Sequence, residues 1–414
     1  MTVETRSGTF GSETIEADTG IRRDVFYIHG LDPRGPRVYE ALLKEGAQKS
    51  EERVGRRLTL SPRRKAGQHA SRLEIRAEDV KTGRPASIDY VILRWDDLVR
   101  KLWTSIGPID LLRSGFRVFA FILAHRREQL RRFGRQGLSG LGAIIVLPCT
   151  ILICALIATL GSWAAYALVS ALVASLGGGG ALQTAFGLAA VAGALAGAVA
   201  FWRFAAGRTN LLWLLRSLDH QFATAQGERD LGVERTNLFA DRFVERWRAT
   251  DSEEIVVVGH SFGALLLVRM MARALREEPE IGRRGPRVVI LTLGQTIPFY
   301  NVLGDDAAFR EDLRLLGTTD RLTFFDVTSG SDPCSSCRVP ILQDLGVPEE
   351  EVRIIQREPD FHDMLEPDSF DYIRMHPLDF HFQYLKPSER GFRFDYFELL
   401  SRPERLTSAV REAP

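Results

Sequence analysis

The chain has 414 residues, of which 45% are hydrophobic and 26% charged, and its formal net charge is +1. This length accommodates a large catalytic domain and a further unit. A near-neutral charge without interleaved basic and aromatic residues argues against nucleic-acid binding, and four cysteines are too few for a disulfide framework.

The N-terminal part of the chain begins with a predicted flexible leader. Residues 1–21 contain no apolar run preceded by positive charge, so they lack the pattern of a signal peptide. Further on, the run RRLTLSPRRK at residues 56–65 has five positive charges and no acidic one. We interpret this run as a solvated loop, with contact to anionic lipid headgroups as the alternative.

The middle of the chain is uncharged over a length that crosses a bilayer twice. Every position from 136 to 202 lacks Asp, Glu, Lys and Arg. A spanning helix needs ~20 apolar residues, and residues 141–175 and 181–203 each reach that length. The four glycines between them, Gly177–Gly180, favour a tight turn. The sequence therefore predicts a transmembrane helical hairpin within residues 136–206.

Arginines flank the hairpin on both sides, among them Arg131, Arg135 and Arg203. Positive charge collects on the cytoplasmic side, so both soluble parts are predicted to be cytoplasmic. The expected location is the inner membrane of a bacterium. Upstream, residues 95–125 mix apolar and charged side chains, which fits an amphipathic segment in the membrane interface or a helix packed on the soluble domain.

Outside the hairpin, apolar strands alternate with helices. Continuous apolar strands separated by helices indicate a mainly parallel sheet covered on both faces, which is an α/β fold. The domain is predicted to be discontinuous, with residues 22–125 and 210–400 forming one sheet and residues 401–414 a tail. If one sheet contains strands from both parts, the intervening chain must cross the membrane an even number of times. The predicted strands span residues 24–30, 72–80, 88–95, 254–263, 287–294, 321–328 and 351–356.

The segment VVVGHSFGALLL contains a G-x-S-x-G motif centred on Ser261. A nucleophile at the end of a parallel strand must stand on a sharp strand-to-helix turn, and crowding there requires small residues such as Gly259 and Gly263. The N-terminus of the following helix favours developing negative charge. The motif in this context predicts that Ser261 is a nucleophile.

This segment resembles the nucleophile turn of the α/β-hydrolase superfamily, and YIHGLDPRG resembles the family's oxyanion loop. HFQYL followed by FDYF resembles a part of poorly characterised bacterial membrane-anchored members. The resemblance implies an α/β-hydrolase-like sheet and an oxyanion hole formed by the backbone N–H groups of Leu31 and Phe262. It implies a structural role for His29 and no metal or organic cofactor.

The family order places an acid and then a histidine after the serine. Asp332, in a Gly-x-Asp-Pro turn, is favoured over Asp326 as the acid. His362 follows the last predicted strand at a typical family interval and is preferred as the base over His381, with His376 third.

The remaining candidates are weaker. Cys334 and Cys337 form a lone CxxC, which is weak evidence for zinc. The residues His69, His125 and His220 are predicted to lie at the surface. The expected function is that of a membrane-anchored serine esterase or lipase whose partners are the lipid bilayer and an apolar ester substrate. A catalytically silent membrane scaffold is the alternative, acyl transfer would use the same residues, and no feature defines the oligomeric state.

Overall fold

A computed structural model describes residues 20–105, 107–132, 134–177, 180–230, 232–374, 376–390 and 394–407. Residues 1–19 of the predicted leader and residues 408–414 of the predicted tail lie outside this part of the chain.

The strands of the described chain form one nine-stranded sheet, in the order β2-β4-β5-β1-β6-β7-β8-β9 with β3 beside β4. The six strands from β5 to β9 in this order are parallel, whereas β2, β3 and β4 pair antiparallel. The mainly parallel sheet predicted from the sequence is confirmed. The strands are β1 (Ile21–Ile28), β2 (Arg56–Leu60), β3 (Arg64–Lys65), β4 (Ala70–Asp79), β5 (Pro85–Leu93), β6 (Glu254–His260), β7 (Arg287–Leu293), β8 (Thr323–Val327) and β9 (Ile354–Arg357).

Helices cover both faces of the sheet. Alternate side chains of β1 point to opposite faces, so Phe26 lies in one apolar core and Val25 in the other. A π-helical turn, Ile122–Arg126, follows α3, and 3₁₀ turns lie at Glu349–Glu351 and Gln383–Leu385. The helices are α1 (Pro36–Val54), α2 (Asp96–Ser105), α3 (Pro108–Phe121), α4 (Arg127–Arg132), α5 (Gly134–Ser175), α6 (Gly180–Thr209), α7 (Leu211–Ala225), α8 (Val233–Ala249), α9 (Gly263–Glu277), α10 (Ile297–Leu303), α11 (Ala307–Thr318), α12 (Phe361–Met364), α13 (Pro367–Arg374), α14 (Pro377–Phe382) and α15 (Tyr396–Ser401).

The structure departs from the predictions in the basic run and at the C-terminal boundary of the domain. The basic run at 56–65 is not a loop, because it contains the edge strands β2 and β3 paired with β4. The domain also continues beyond residue 400. Leu406 is fully buried, and its backbone N–H donates to the buried carboxylate of Glu254 at 3.1 Å.

The segment at residues 95–125 packs on the domain. Val99 of α2, Val118 of α3 and Ile122 of the π-helical turn are buried in the same core as Phe26. The opposite side of α3 leaves Phe116 exposed. The buried face of this segment therefore supports the second interpretation, a helix packed on the soluble domain.

Helices α5 and α6 form the predicted hairpin. Two stretches, Leu156–Ser175 and Gly180–Phe201, are long and apolar enough to span a membrane, and only 6% of each is buried inside the protein. After α5, Gly177 adopts a φ of +71°, which a residue with a side chain rarely adopts. A Cβ atom on Gly187 of α6 would lie 2.7 Å from the Tyr166 ring of α5, so glycine there permits close packing of the two helices.

Candidate active site

Ser261 lies on the turn between β6 and α9, at the carboxyl end of the sheet. Its φ is +57°, which is uncommon for a residue other than glycine. Its backbone N–H donates to the carbonyl of Leu293 at the end of β7, at 2.9 Å. The side chain is half-buried. The fold therefore holds a hydroxyl group on a strained strand-to-helix turn.

Three glycines allow the chain to pack closely around Ser261. A Cβ atom on Gly263 would lie 2.3 Å from the carbonyl oxygen of Ile28, and one on Gly259 would lie 2.8 Å from the Cα of Ala264. A Cβ atom on Gly30 would lie 2.9 Å from the Cβ of Ser261. The first two contacts are with backbone atoms, which cannot move aside easily. Both glycines of the motif are thus explained by crowding.

The loop after β1 passes directly beside Ser261. His29 is fully buried, and its Nδ1 lies 2.8 Å from the carbonyl oxygen of Gly30. The indole of Trp95 donates to the carbonyl of His29 at 2.8 Å. Burial lowers the pKa of His29, so its neutral ring fixes the loop. The backbone N–H groups of Leu31 and Phe262 donate to no described residue, which leaves both able to bind a developing oxyanion.

His381 and Asp332 form a buried pair at the same end of the sheet. The Nδ1 of His381 lies 2.8 Å from the Oδ2 of Asp332, whose side chain is 0% exposed. The Nε2 of His260 lies 2.8 Å from the backbone carbonyl oxygen of His381. A Cβ atom on Gly294, the residue after Leu293, would lie 3.2 Å from the Cε1 of His381. The pair thus lies close to the turn of Ser261.

The Ser261 hydroxyl makes no hydrogen bond to His381 or to another described residue. Hydrogen bonds of this kind are often long in proteins without bound substrate and shorten when substrate binds.

The other histidine candidates lie elsewhere. The side chain of His362 is 67% exposed, and its Nδ1 lies 3.6 Å from Asp363. His376 places its Nδ1 2.8 Å from the carbonyl oxygen of Tyr372. The geometry therefore favours His381 over His362, which reverses the preference drawn from the sequence. The number of residues after the acid does not determine which histidine folds back over the sheet.

Asp326, the alternative acid, is fully buried, and no described histidine bonds to its carboxylate. Its carboxylate accepts hydrogen bonds from Thr292 at 2.8 Å and from Gln295 at 3.2 Å. Burial raises the pKa of Asp326 to about 6, and these hydrogen bonds oppose the rise. Asp332, and not Asp326, is therefore the carboxylate that holds a histidine.

Among the described residues, one group of side chains could supply ligands to a metal ion. The ligand atoms of Asp332, Cys334 and His381 lie within 4.8 Å of one another. Burial, and secondarily the charge of Asp332, raises the pKa of the Cys334 thiol well above its usual value. A protonated thiol is a poor ligand, so the donor set fits a metal poorly. Cys337 donates instead to the carbonyl of Thr328 at 3.5 Å.

His220 was expected at the surface, but the structure buries it beside the site. Its side chain packs against Phe262 with ring centroids 5.1 Å apart, and burial lowers its pKa to about 4. No motif in the sequence marks this residue. Its burial results from the packing of α7 against the turn of Ser261, which no local sequence pattern indicates.

No family model matches the chain, and no curated protein or solved structure matches it either. The site and fold therefore define the class: an α/β protein with two helices of membrane-spanning length. At the carboxyl end of its sheet, a serine on a strained turn lies near a buried His–Asp pair.

Proposed function

We propose that the chain is a membrane-anchored serine hydrolase of the α/β-hydrolase type that cleaves an ester. The observation that carries the proposal is the left-handed conformation of Ser261 on its strand-to-helix turn, at the sheet end that also holds the His381–Asp332 pair. A positive φ on a residue with a side chain is strain that a fold retains where function needs it.

In the proposed reaction, His381 accepts the Ser261 proton through Nε2 while the hydroxyl oxygen attacks the ester carbonyl. The N–H groups of Leu31 and Phe262 stabilise the resulting oxyanion. Asp332 holds the ring with its proton on Nδ1. The proton then passes to the leaving alcohol, and a water molecule activated by the same ring releases the acid from the acyl-serine.

Helices α5 and α6 are the proposed anchor. Strands β1 and β6 are neighbours in one sheet, with Tyr27 opposite Val258. The chain between them therefore begins and ends on the same side of a membrane, and two crossings satisfy this condition. The flanking arginines support a cytoplasmic location for that side, and the membrane that we propose is the inner membrane of a bacterium.

A fluorophosphonate probe tests the proposal, because it reacts with activated serine hydroxyls. We expect membranes containing the wild-type protein to be labelled and those containing Ser261→Ala to be unlabelled. Ser252→Ala, which changes another serine outside the site, should be labelled normally. Labelling that persists in Ser261→Ala would exclude this residue as the nucleophile.

A catalytically silent scaffold is the second candidate, favoured by the missing hydrogen bond between Ser261 and His381. It predicts a wild-type protein that folds and enters the membrane but is not labelled by the probe.

A further inference from the structure

Helix α7 carries a stripe of buried polar side chains next to the proposed active site. His220, Gln221 and Thr224 lie within about a third of the helix circumference, because each residue advances by ~100°. Each is at most 8% exposed. Among the described residues, the Nδ1 of His220, the Oε1 of Gln221 and the Oγ1 of Thr224 have no hydrogen-bond partner.

Helix α10, which packs against α7, and the residue before it bring two more such groups. The Oγ1 of Thr296 and the Nδ2 of Asn301 are also buried without a partner in the described chain. The two segments are in close contact, since Gln226, which follows α7, donates to the carbonyl of Leu303 at 2.5 Å. We call His220, Gln221, Thr224, Thr296 and Asn301 the polar seam.

Two residues of the polar seam lie near the proposed active site. His220 packs on Phe262, the neighbour of Ser261. Thr296 comes two positions after Gly294, and a Cβ atom on Gly294 would lie 3.2 Å from the Cε1 of His381. The seam therefore begins one side chain away from the turn of Ser261.

At its other end, the seam opens on a cavity of about 450 Å³ that Thr224 lines together with Arg229, Arg269, Asp306 and others. Both of these arginines are paired. Arg269 lies 2.7 Å from Asp306, and Arg229 lies 2.5 Å from Asp219. The cavity therefore offers no unpaired guanidinium among its lining residues, which disfavours an anionic ligand.

The unpaired groups of the seam are neutral and include donors and acceptors. Gln221 offers an acceptor, Asn301 a donor, and the two threonine hydroxyls can be either. Buried polar groups are costly to leave unpaired, so the seam requires water or a ligand of matching chemistry. We propose that it binds the neutral, hydroxyl-bearing alcohol part of the ester. The inference rests on the proposed function and narrows the substrate to an ester of a polyol, such as glycerol or a sugar.

Hydrolysis of a matched pair of esters tests this inference. 1-Butyrylglycerol and propyl butyrate share the acyl group and differ in two hydroxyls. We expect wild-type kcat/KM to favour 1-butyrylglycerol, and Thr224→Val or Gln221→Leu to reduce that preference about tenfold, the value of one hydrogen bond. Thr236→Val is the matched control, because this buried threonine of α8 bonds the carbonyl of Val233. Equal kcat/KM values for both esters in the wild type would overturn the inference while leaving Ser261 labelling intact.

Binding separates the inference from the proposed function. Calorimetry of full-length Ser261→Ala protein, in a detergent without hydroxyl groups, measures the affinity for both esters without turnover. We expect 1-butyrylglycerol to bind about tenfold more tightly, with the difference lost in Ser261→Ala/Thr224→Val. Equal affinities would mean that water alone fills the seam. If the polyol ester is preferred, hydrolysis of 1-oleoylglycerol in phosphatidylcholine vesicles identifies a lipid source, and hydrolysis of the soluble ester alone identifies a soluble one.

Discussion

Replacing His381 with glutamine should remove the proposed base while preserving most of the side-chain volume. The ring is held at 2.8 Å by a carboxylate that is 0% exposed, so its orientation is fixed before substrate arrives. A positioned general base contributes about 10²–10⁴ in rate, or roughly 3–5 kcal/mol at 1.36 kcal/mol per tenfold. We expect the rate constant for fluorophosphonate labelling to fall about 10³-fold in His381→Gln.

His362→Gln is the matched control, since its side chain is 67% exposed and lies beside Asp363. Its labelling rate should remain within about twofold of wild type, as for most surface substitutions. Thermal unfolding of each variant establishes that the fold is retained. The reasoning fails if His362→Gln is the slow variant, or if a folded His381→Gln is labelled at the wild-type rate.

Three further predictions concern the core, the turn and the anchor. Because burial raises the pKa of Asp326 from 3.8 to about 6, its contribution to stability is present below pH 3.8 and lost as the pH rises through about 6. Between pH 4 and 7, the unfolding free energy should therefore fall by about 2 kcal/mol more in the wild type than in Asp326→Asn, as measured by denaturant titration in micelles. Gly263→Ala should lower the unfolding free energy by about 3 kcal/mol because the new Cβ meets backbone, whereas Gly193→Ala, with open space around it, should not. Leu168→Arg, in the apolar stretch of α5, should reduce carbonate-resistant membrane association, because inserting a charge at the centre of a spanning helix costs about 3 kcal/mol. Leu238→Arg on α8 should have no effect.

The parts of the fold that depend on local pattern could be predicted from sequence. The strand before Ser261 is continuously apolar, and the following helix begins at Gly263 as expected. The uncharged stretch likewise predicted α5 and α6, because the thickness of the hydrocarbon core sets the number of apolar residues that a spanning helix needs. That number can be counted directly in the sequence. Edge strand β2 was missed, since it begins with two adjacent arginines inside a basic run, which is typical of a solvated loop.

The parts of the candidate site that depend on long-range packing could not be predicted. His362 lies on the short helix α12 and His381 on the short helix α14, both beyond β9, and only the packing of these short elements decides which histidine reaches Asp332. His220 lies on a helix that follows the hairpin, and its burial depends on contact with Phe262. Neither the spacing of residues along the sequence nor the presence of a motif carries information about such contacts.

The insertion point of the two long helices has a consequence for biogenesis. Strand β1 pairs with β6, which lies more than 220 positions later in the chain. A nascent chain leaving the ribosome therefore exposes both apolar helices before the serine-bearing turn has been synthesised. Domains generally fold as units once their sequence is complete, so targeting of the nascent chain would precede assembly of the proposed triad. Under the proposed function, the chain would acquire its activity only after it has reached the membrane.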